Sequence, residues 1–217
     1  ISQKIKMTKI GIEYSLISPA VTILKDDGYK FISFFDDYGK DWKTGKSKKF
    51  RYHRELSNFM EVIPYTRLIN QDNYRTEQIT KMRAAKTISE LIVQKLIEEI
   101  GDEKDVTIGL EGFSYGSISS SVLDLAMYNS FLRFKLIETF GEENLIIISP
   151  TEGKKSLYGK GNANKDEMIE SFISNRLCDE KLVETNLWKY CSENELDFKN
   201  IKPIDDLVDS YAILKTI

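Results

Sequence analysis

Histidine is almost absent from this chain. His53 is the only one, and Cys178 and Cys191 are the only cysteines. One imidazole and two thiols do not make a zinc site. No cysteine–histidine pair or Ser–His–Asp constellation is recognisable either. Both cysteines stand in apolar sequence surroundings and are expected as buried free thiols. That usage fits a reducing, cytoplasmic setting. Long hydrophobic runs are also missing. Nothing approaches the stretch of about 18 apolar residues that a membrane span needs. The opening ISQKIKMTK carries charge without the apolar centre of a secretory signal. Met7 is read as the natural start, with 1–6 a remnant ahead of it. A positive excess is lacking too: the formal net charge is −3. A globally basic nucleic-acid binder is therefore not expected, although binding is decided by the field near the site. Walker A and dinucleotide glycine fingerprints are absent, which removes the common nucleotide-binding classes.

A chain of 217 residues can bury a substantial core as one large domain or two small ones. Residues 10–24, IGIEYSLISPAVTIL, read as a buried strand, a polar turn and a returning strand. Residues 29–35, YKFISFF, alternate and complete a meander of three strands, closed by a turn at 36–39. The stretch 40–54, KDWKTGKSKKFRYHR, holds seven Lys or Arg against one acid, Asp41. Its bland reading is a solvated loop or hairpin with a charged edge. Its functional reading is a phosphate-contacting arm using Lys43, Lys46, Lys48, Lys49, Arg51 and Arg54, with Trp42, Phe50 and Tyr52 stacking on bases. His53 is expected as a phosphate or surface contact.

Residues 59–68 suggest a short strand interrupted by Pro64, and 70–74 a polar loop. Residues 76–100 form the clearest helix, capped by Thr76 and ended by Gly101, with an apolar stripe from Ile79 and Met82 to Ile100. Residues 106–110, VTIGL, read as a second buried strand. Residues 119–140 read as a helix and 145–148 as another strand, giving a βαβ unit with parallel pairing. Residues 151–164 read as a Gly-, Lys- and Asn-rich loop leading to a helix over 165–175. Further helices are expected over 180–192 and 205–214.

Four acids stand out. Glu13 and Glu111 end the two buried strands, and Asp206 and Asp209 share one helical face. Taken singly, Glu13 can be the first solvated residue after a strand, and the aspartates can serve the helix N-terminus. Together they are harder to explain that way. Strand ends in open α/β sheets are where chemistry gathers, and clustered carboxylates repel unless a cation joins them. Such oxygen ligands suit Mg²⁺ or Mn²⁺. Two such ions can clamp the attacking and leaving oxygens of phosphodiester hydrolysis.

The order of these motifs resembles the RuvC-like Holliday junction resolvases. IGIEYSLISPAVTI, LEGFSYGSISSSVLDLA, KKSLYGKGNANK and DDLVDSYAIL carry the resemblance, which covers most of the chain from Met7 onward. It implies an α/β, ribonuclease H-like fold: a mixed central sheet of antiparallel meander plus parallel strands, flanked by helices. One nuclease domain would cover 7–217, with an extended basic insertion around 36–74 for which the family offers no template. The implied activity is nicking of four-way or other branched DNA with two Mg²⁺ ions, Mn²⁺ substituting, held by Glu13, Glu111, Asp206 and Asp209. Lys154 and Lys165 would hold the scissile phosphate. Lys155 and Lys160 would contact DNA, and Phe113 and Tyr115 would stack on unpaired bases or simply pack under their loop. A homodimer is implied, with the 119–140 helix as its face or as intramolecular core. Nucleoid or viral DNA would be the target. The family normally has Asp where Glu13 stands. The extra methylene moves the carboxylate by roughly 1.5 Å, and catalytic geometry tolerates such shifts poorly. Either the site is adapted to Glu, or the chain is an inactivated variant or binds junctions without cutting them. An actin-like ATPase shares a related meander but needs two such domains and glycine-rich nucleotide loops.

Overall fold

The computed structural model describes residues 7–103, 105–113 and 120–217. The expectations placed on 1–6, Tyr115 and Ser119 lie outside that range. Strands β1 (Met7–Glu13), β2 (Ala20–Lys25) and β3 (Gly28–Asp36) come first, followed by α1 (Arg51–Leu56) and β4 (Glu61–Tyr65). Then come α2 (Tyr74–Ile100), β5 (Asp105–Glu111), α3 (Ser120–Phe140) and β6 (Leu145–Ile148). The rest is helical: α4 (Pro150–Tyr158), α5 (Lys165–Ile173), α6 (Glu180–Val183), α7 (Asn186–Glu193) and α8 (Ile204–Leu214).

The strands form one six-stranded sheet in the order β4-β3-β2-β1-β5-β6. β1, β2 and β3 pair antiparallel, while β5 pairs parallel with β1 and with β6. This is the mixed, helix-flanked sheet that the resemblance implies. β4 joins parallel to β3 at the sheet edge, where Pro64 costs no ladder hydrogen bond on the outer side.

Alternation along the strands divides the core between two faces. Ile10, Ile12, Val21, Ile23, Ile32 and Phe34 point to α2 and α3. Ala20 and Phe31 point the other way, toward the core built on α5, α7 and α8. Gly11 faces this second side, and α8 lies directly on it. A Cβ at Gly11 would stand 2.1 Å from the Ser210 carbonyl oxygen and 2.6 Å from the Leu214 nitrogen. Only glycine admits α8 to this depth. Thr22 and Ser210 share a hydroxyl hydrogen bond of 2.7 Å beside it.

Several boundaries differ from the sequence reading. Asn73, not Thr76, caps α2: its side chain accepts from the Thr76 amide. Ile79 and Met82, expected in the apolar stripe, are exposed, and the buried stripe of α2 begins at Ala85. Residues 151–158 are helical rather than loop. Ser149 and Glu152 form a capping box and Pro150 sits in the first turn, so the residues that close β6 also start α4. The expected 180–192 helix is two helices, broken where Thr185 caps α7 through the Trp188 amide. Cys191 is buried, but Cys178 is exposed.

Candidate metal and nucleic-acid site

β1 and β5 run parallel, with Ile12 opposite Leu110, so Glu13 and Glu111 leave the same edge of the sheet side by side. α8 packs along β1 and brings Asp206 and Asp209 to that edge. The four acids interact electrostatically. The structure therefore brings together the residues that lie 98 and 95 positions apart in sequence, Glu13 with Glu111 and Glu111 with Asp206. Asp206 does not cap its helix, because Pro203 occupies that position and no side chain caps it.

Burial governs their chemistry. Glu13 is 7% exposed and Asp206 is 3% exposed. Desolvation, then the charges of Asp206 and Glu111, hold the Glu13 carboxyl well above its usual range. Burial and Asp206 push Glu111 up to about 7. Burial, Glu111 and Asp206 push Asp209 up to about 8. Burial lifts Asp206 to about 6 against the pull of Lys202.

Two further residues belong to the cluster and escape the sequence reading. Lys202 hydrogen-bonds to Asp206 Oδ1 and lies 3.3 Å from Asp205 Oδ2. Burial opposes its charge, but Asp206, Asp205 and Glu13 outweigh it and hold the Lys202 pKa above the usual lysine range. Asp205 also accepts from Lys165 Nζ at 2.5 Å. Its burial is outweighed by Lys202 and Lys165, which hold its carboxyl below the usual range. The available signal was nearness in sequence: Lys202 lies three and four positions before Asp205 and Asp206, just ahead of the helix that carries them.

Among the described residues, no group of three or more His, Cys, Asp or Glu side chains is arranged to hold a metal ion. Lys202 stands among the acids instead. The donor set nevertheless fits a hard divalent cation. Glu13 Oε2 is buried and lacks any hydrogen-bond partner, a costly state that an oxygen-seeking cation relieves.

The other expected residues divide. Lys154 is half-buried and its charge lowers Glu111. Lys165 is exposed on the first turn of α5, and Lys155 and Lys160 are exposed around the end of α4. Lys43, Lys46, Lys48, Lys49 and Arg51 are exposed. Arg54 is drawn inward and donates to the Trp42 and Ser47 carbonyls, so it braces the arm. The rings of the arm do not face solvent. Trp42 and Phe50 pack on Phe35, and Tyr52 is fully buried, so base stacking by these three is excluded by their burial in the fold. His53 is corrected likewise: it lies 3% exposed against Phe35 and Phe50, and burial pushes its pKa down to about 3. Phe113 remains partly exposed, with the Arg133 guanidinium 4.7 Å from its ring centroid.

Fold and site together define a class: an α/β protein with a mixed sheet and a buried carboxylate cluster at its strand ends. The chain is similar to solved structures of Holliday junction resolvases. Thermus thermophilus RuvC has 13% identity and a TM-score of 0.46, over 97% of this chain and 92% of that one. T. thermophilus RuvC in complex with Holliday junction substrate has 8% identity and a TM-score of 0.48, over 97% and 91%. The yeast mitochondrial Holliday junction resolvase has 17% identity and a TM-score of 0.49, over 96% and 76%. No family model and no curated protein matches the chain.

Proposed function

We propose that this chain is a metal-dependent, structure-selective DNA endonuclease that resolves four-way or other branched junctions. The observation that carries the reading is the convergence of Glu13, Glu111, Asp206 and Asp209 at one sheet edge, with an unpartnered buried oxygen on Glu13. These four would hold Mg²⁺ or Mn²⁺, two ions per site. When bound, the ions would supply an activated water and charge stabilisation at the leaving oxygen. The protein's own groups do the rest. Ser18 donates to Asp206 Oδ2 at 2.6 Å and fixes that carboxylate. Lys154 and Lys165 flank the acids and would bind the scissile phosphate. The exposed lysines 43, 46, 48 and 49 would follow the phosphate backbone in a salt-sensitive manner. Phe113 would stack on an unpaired base. Leu123 and Phe134, 75% and 70% exposed on α3, offer an apolar face for a second copy of the chain. Nucleoid or viral DNA would be the target.

Glu13 favours a second reading, a junction-binding module of the same fold that no longer cuts. Cleavage of a labelled immobile four-way junction, against linear duplex, in Mg²⁺ and in EDTA, tests both. Paired nicks confined to the junction and to Mg²⁺ are the expected result. Tight junction binding with cutting only after Glu13→Asp would establish the second reading. No preference for branched DNA in either protein would sink both.

A further inference from the structure

Resting on the metal site proposed above, we propose that Lys202 is a built-in counter-cation that a divalent metal must displace from Asp206, and that Asp205 keeps the displaced ammonium.

Both Asp206 oxygens are in use. Oδ1 accepts from Lys202 and Oδ2 accepts from Ser18 at 2.6 Å. A metal approaching Asp206 Oδ1 meets a like-charged ammonium already seated on that oxygen, and the two cations repel at that distance. Ser18 is buried, and its own backbone amide is tied to Ser15 Oγ at 3.1 Å. Lys202 is the movable partner: its side chain is 31% exposed and has four rotatable bonds. It also has somewhere to go. Its ammonium already lies 3.3 Å from Asp205 Oδ2, and Asp205 Oδ1 is buried without a partner. A small rotation toward Asp205 keeps the ammonium paired while freeing Asp206. Asp205 is thus a lysine holder beside the four metal-binding acids: Oδ2 already engages Lys165, and Oδ1 is left open for Lys202.

The arrangement has a physical rationale. Buried acids repel one another when no cation is bound. Lys202 offsets that repulsion in the metal-free protein. The same contact weakens metal affinity, because any ligand that must first break an internal interaction binds less tightly by that amount.

Mn²⁺ binding to the full chain without DNA, followed by calorimetry, reads this directly. Lys202→Met is expected to bind Mn²⁺ at least about ten-fold more tightly, the equivalent of one broken charge contact. Lys154→Met removes a lysine whose field reaches Glu111 without bonding to the acids. It is expected to change affinity by less than about three-fold. Equal gains in both variants would overturn displacement and leave only a general field effect. Mn²⁺ binding by the unaltered chain with no gain in Lys202→Met would overturn this inference and leave the metal site standing. Undetectable Mn²⁺ binding in the unaltered chain and in Lys202→Met would overturn the metal site and this inference together. Should Lys202→Met not fold, the unaltered chain still decides the matter. The Lys202 Nζ resonance is expected to shift in step with Mg²⁺ saturation, and an unmoved resonance in the metal-bound protein would count against displacement.

Discussion

His53 is neutral in the folded chain because it lies against Phe35 and Phe50, out of water and facing the charges of Lys202 and Lys49. Its pKa is pushed down to about 3, against about 6.5 in an unfolded chain. Between those values the unfolded state binds one more proton than the folded state. The stability His53 confers is therefore complete above pH 6.5 and is lost as pH falls toward 3. The loss from pH 7 to pH 5 should be about 2 kcal/mol. The raised carboxyls of the acid cluster gain stability over the same interval, so the His53 share is read as the difference between the unaltered chain and His53→Phe in how the urea midpoint moves from pH 7 to pH 5. An equal movement in both proteins would refute the assignment. At this scale the sequence is readable only where side-chain direction follows from pattern. Glu13, Glu111, Asp206 and Asp209 each follow an apolar stretch or share a helical face, so period marks them as candidates, and the parallel pairing of β1 with β5 under α8 brings them to one edge. Asp205 and Lys202 are legible only once the start of α8 is known, because their meeting depends on where the helix begins. Tryptophan, tyrosine and histidine in the basic arm mislead for the opposite reason. Charged neighbours conceal that Trp42, Tyr52 and His53 turn inward to finish the sheet's core.

α5 shows how a short element positions a functional side chain. Asn164 Oδ1 accepts from the Glu167 amide at 2.9 Å, and Glu167 Oε2 accepts from the Asn164 amide at 2.8 Å. This capping box fixes the first turn, where Lys165 reaches Asp205. Asn164→Ala should cost about 1 kcal/mol of stability. Under the proposed function it should also weaken junction cleavage more than junction binding, since Lys165 would act at the scissile phosphate while other lysines would carry the DNA. Thermal melting and a comparison of cleavage rate with binding affinity check this. Equal losses in both would mean that the cap serves the fold alone. The strands are legible because β1, β2 and β3 alternate between two buried faces, and α2 because its stripe runs for many turns. α4 is hidden by its composition. Gly153, Lys154 and Lys155 look like loop, yet Ser149, Pro150 and Glu152 supply enough terminal chemistry to start a helix there. The break between α6 and α7 is hidden because both helices share an apolar face while Thr185 interrupts the backbone ladder between them.

Across the whole molecule, the sheet and α8 spend stability to bring like charges together. Gly11 places no side chain of its own between β1 and α8, which lets the helix carrying the aspartates lie close to β1. The metal-free fold then carries acids whose ionisation burial and mutual repulsion oppose. Lys202 relieves part of this, yet among the described residues Asp209 makes no ion pair, and it lies beside Glu111 and Asp206. Neutralising it should therefore help the fold and harm the function. Asp209→Asn is expected to raise the stability of the metal-free protein by about 0.5–2 kcal/mol, the usual scale for relieving a functional compromise. Under the proposed function it should abolish Mg²⁺-dependent junction cutting and leave junction binding intact, because the lysines that would meet the backbone are untouched. Melting in EDTA, junction binding and cleavage of the same preparation decide the matter. A variant that melts lower than the unaltered chain would show that Asp209 is a structural acid held by a partner rather than a charge kept for a cation.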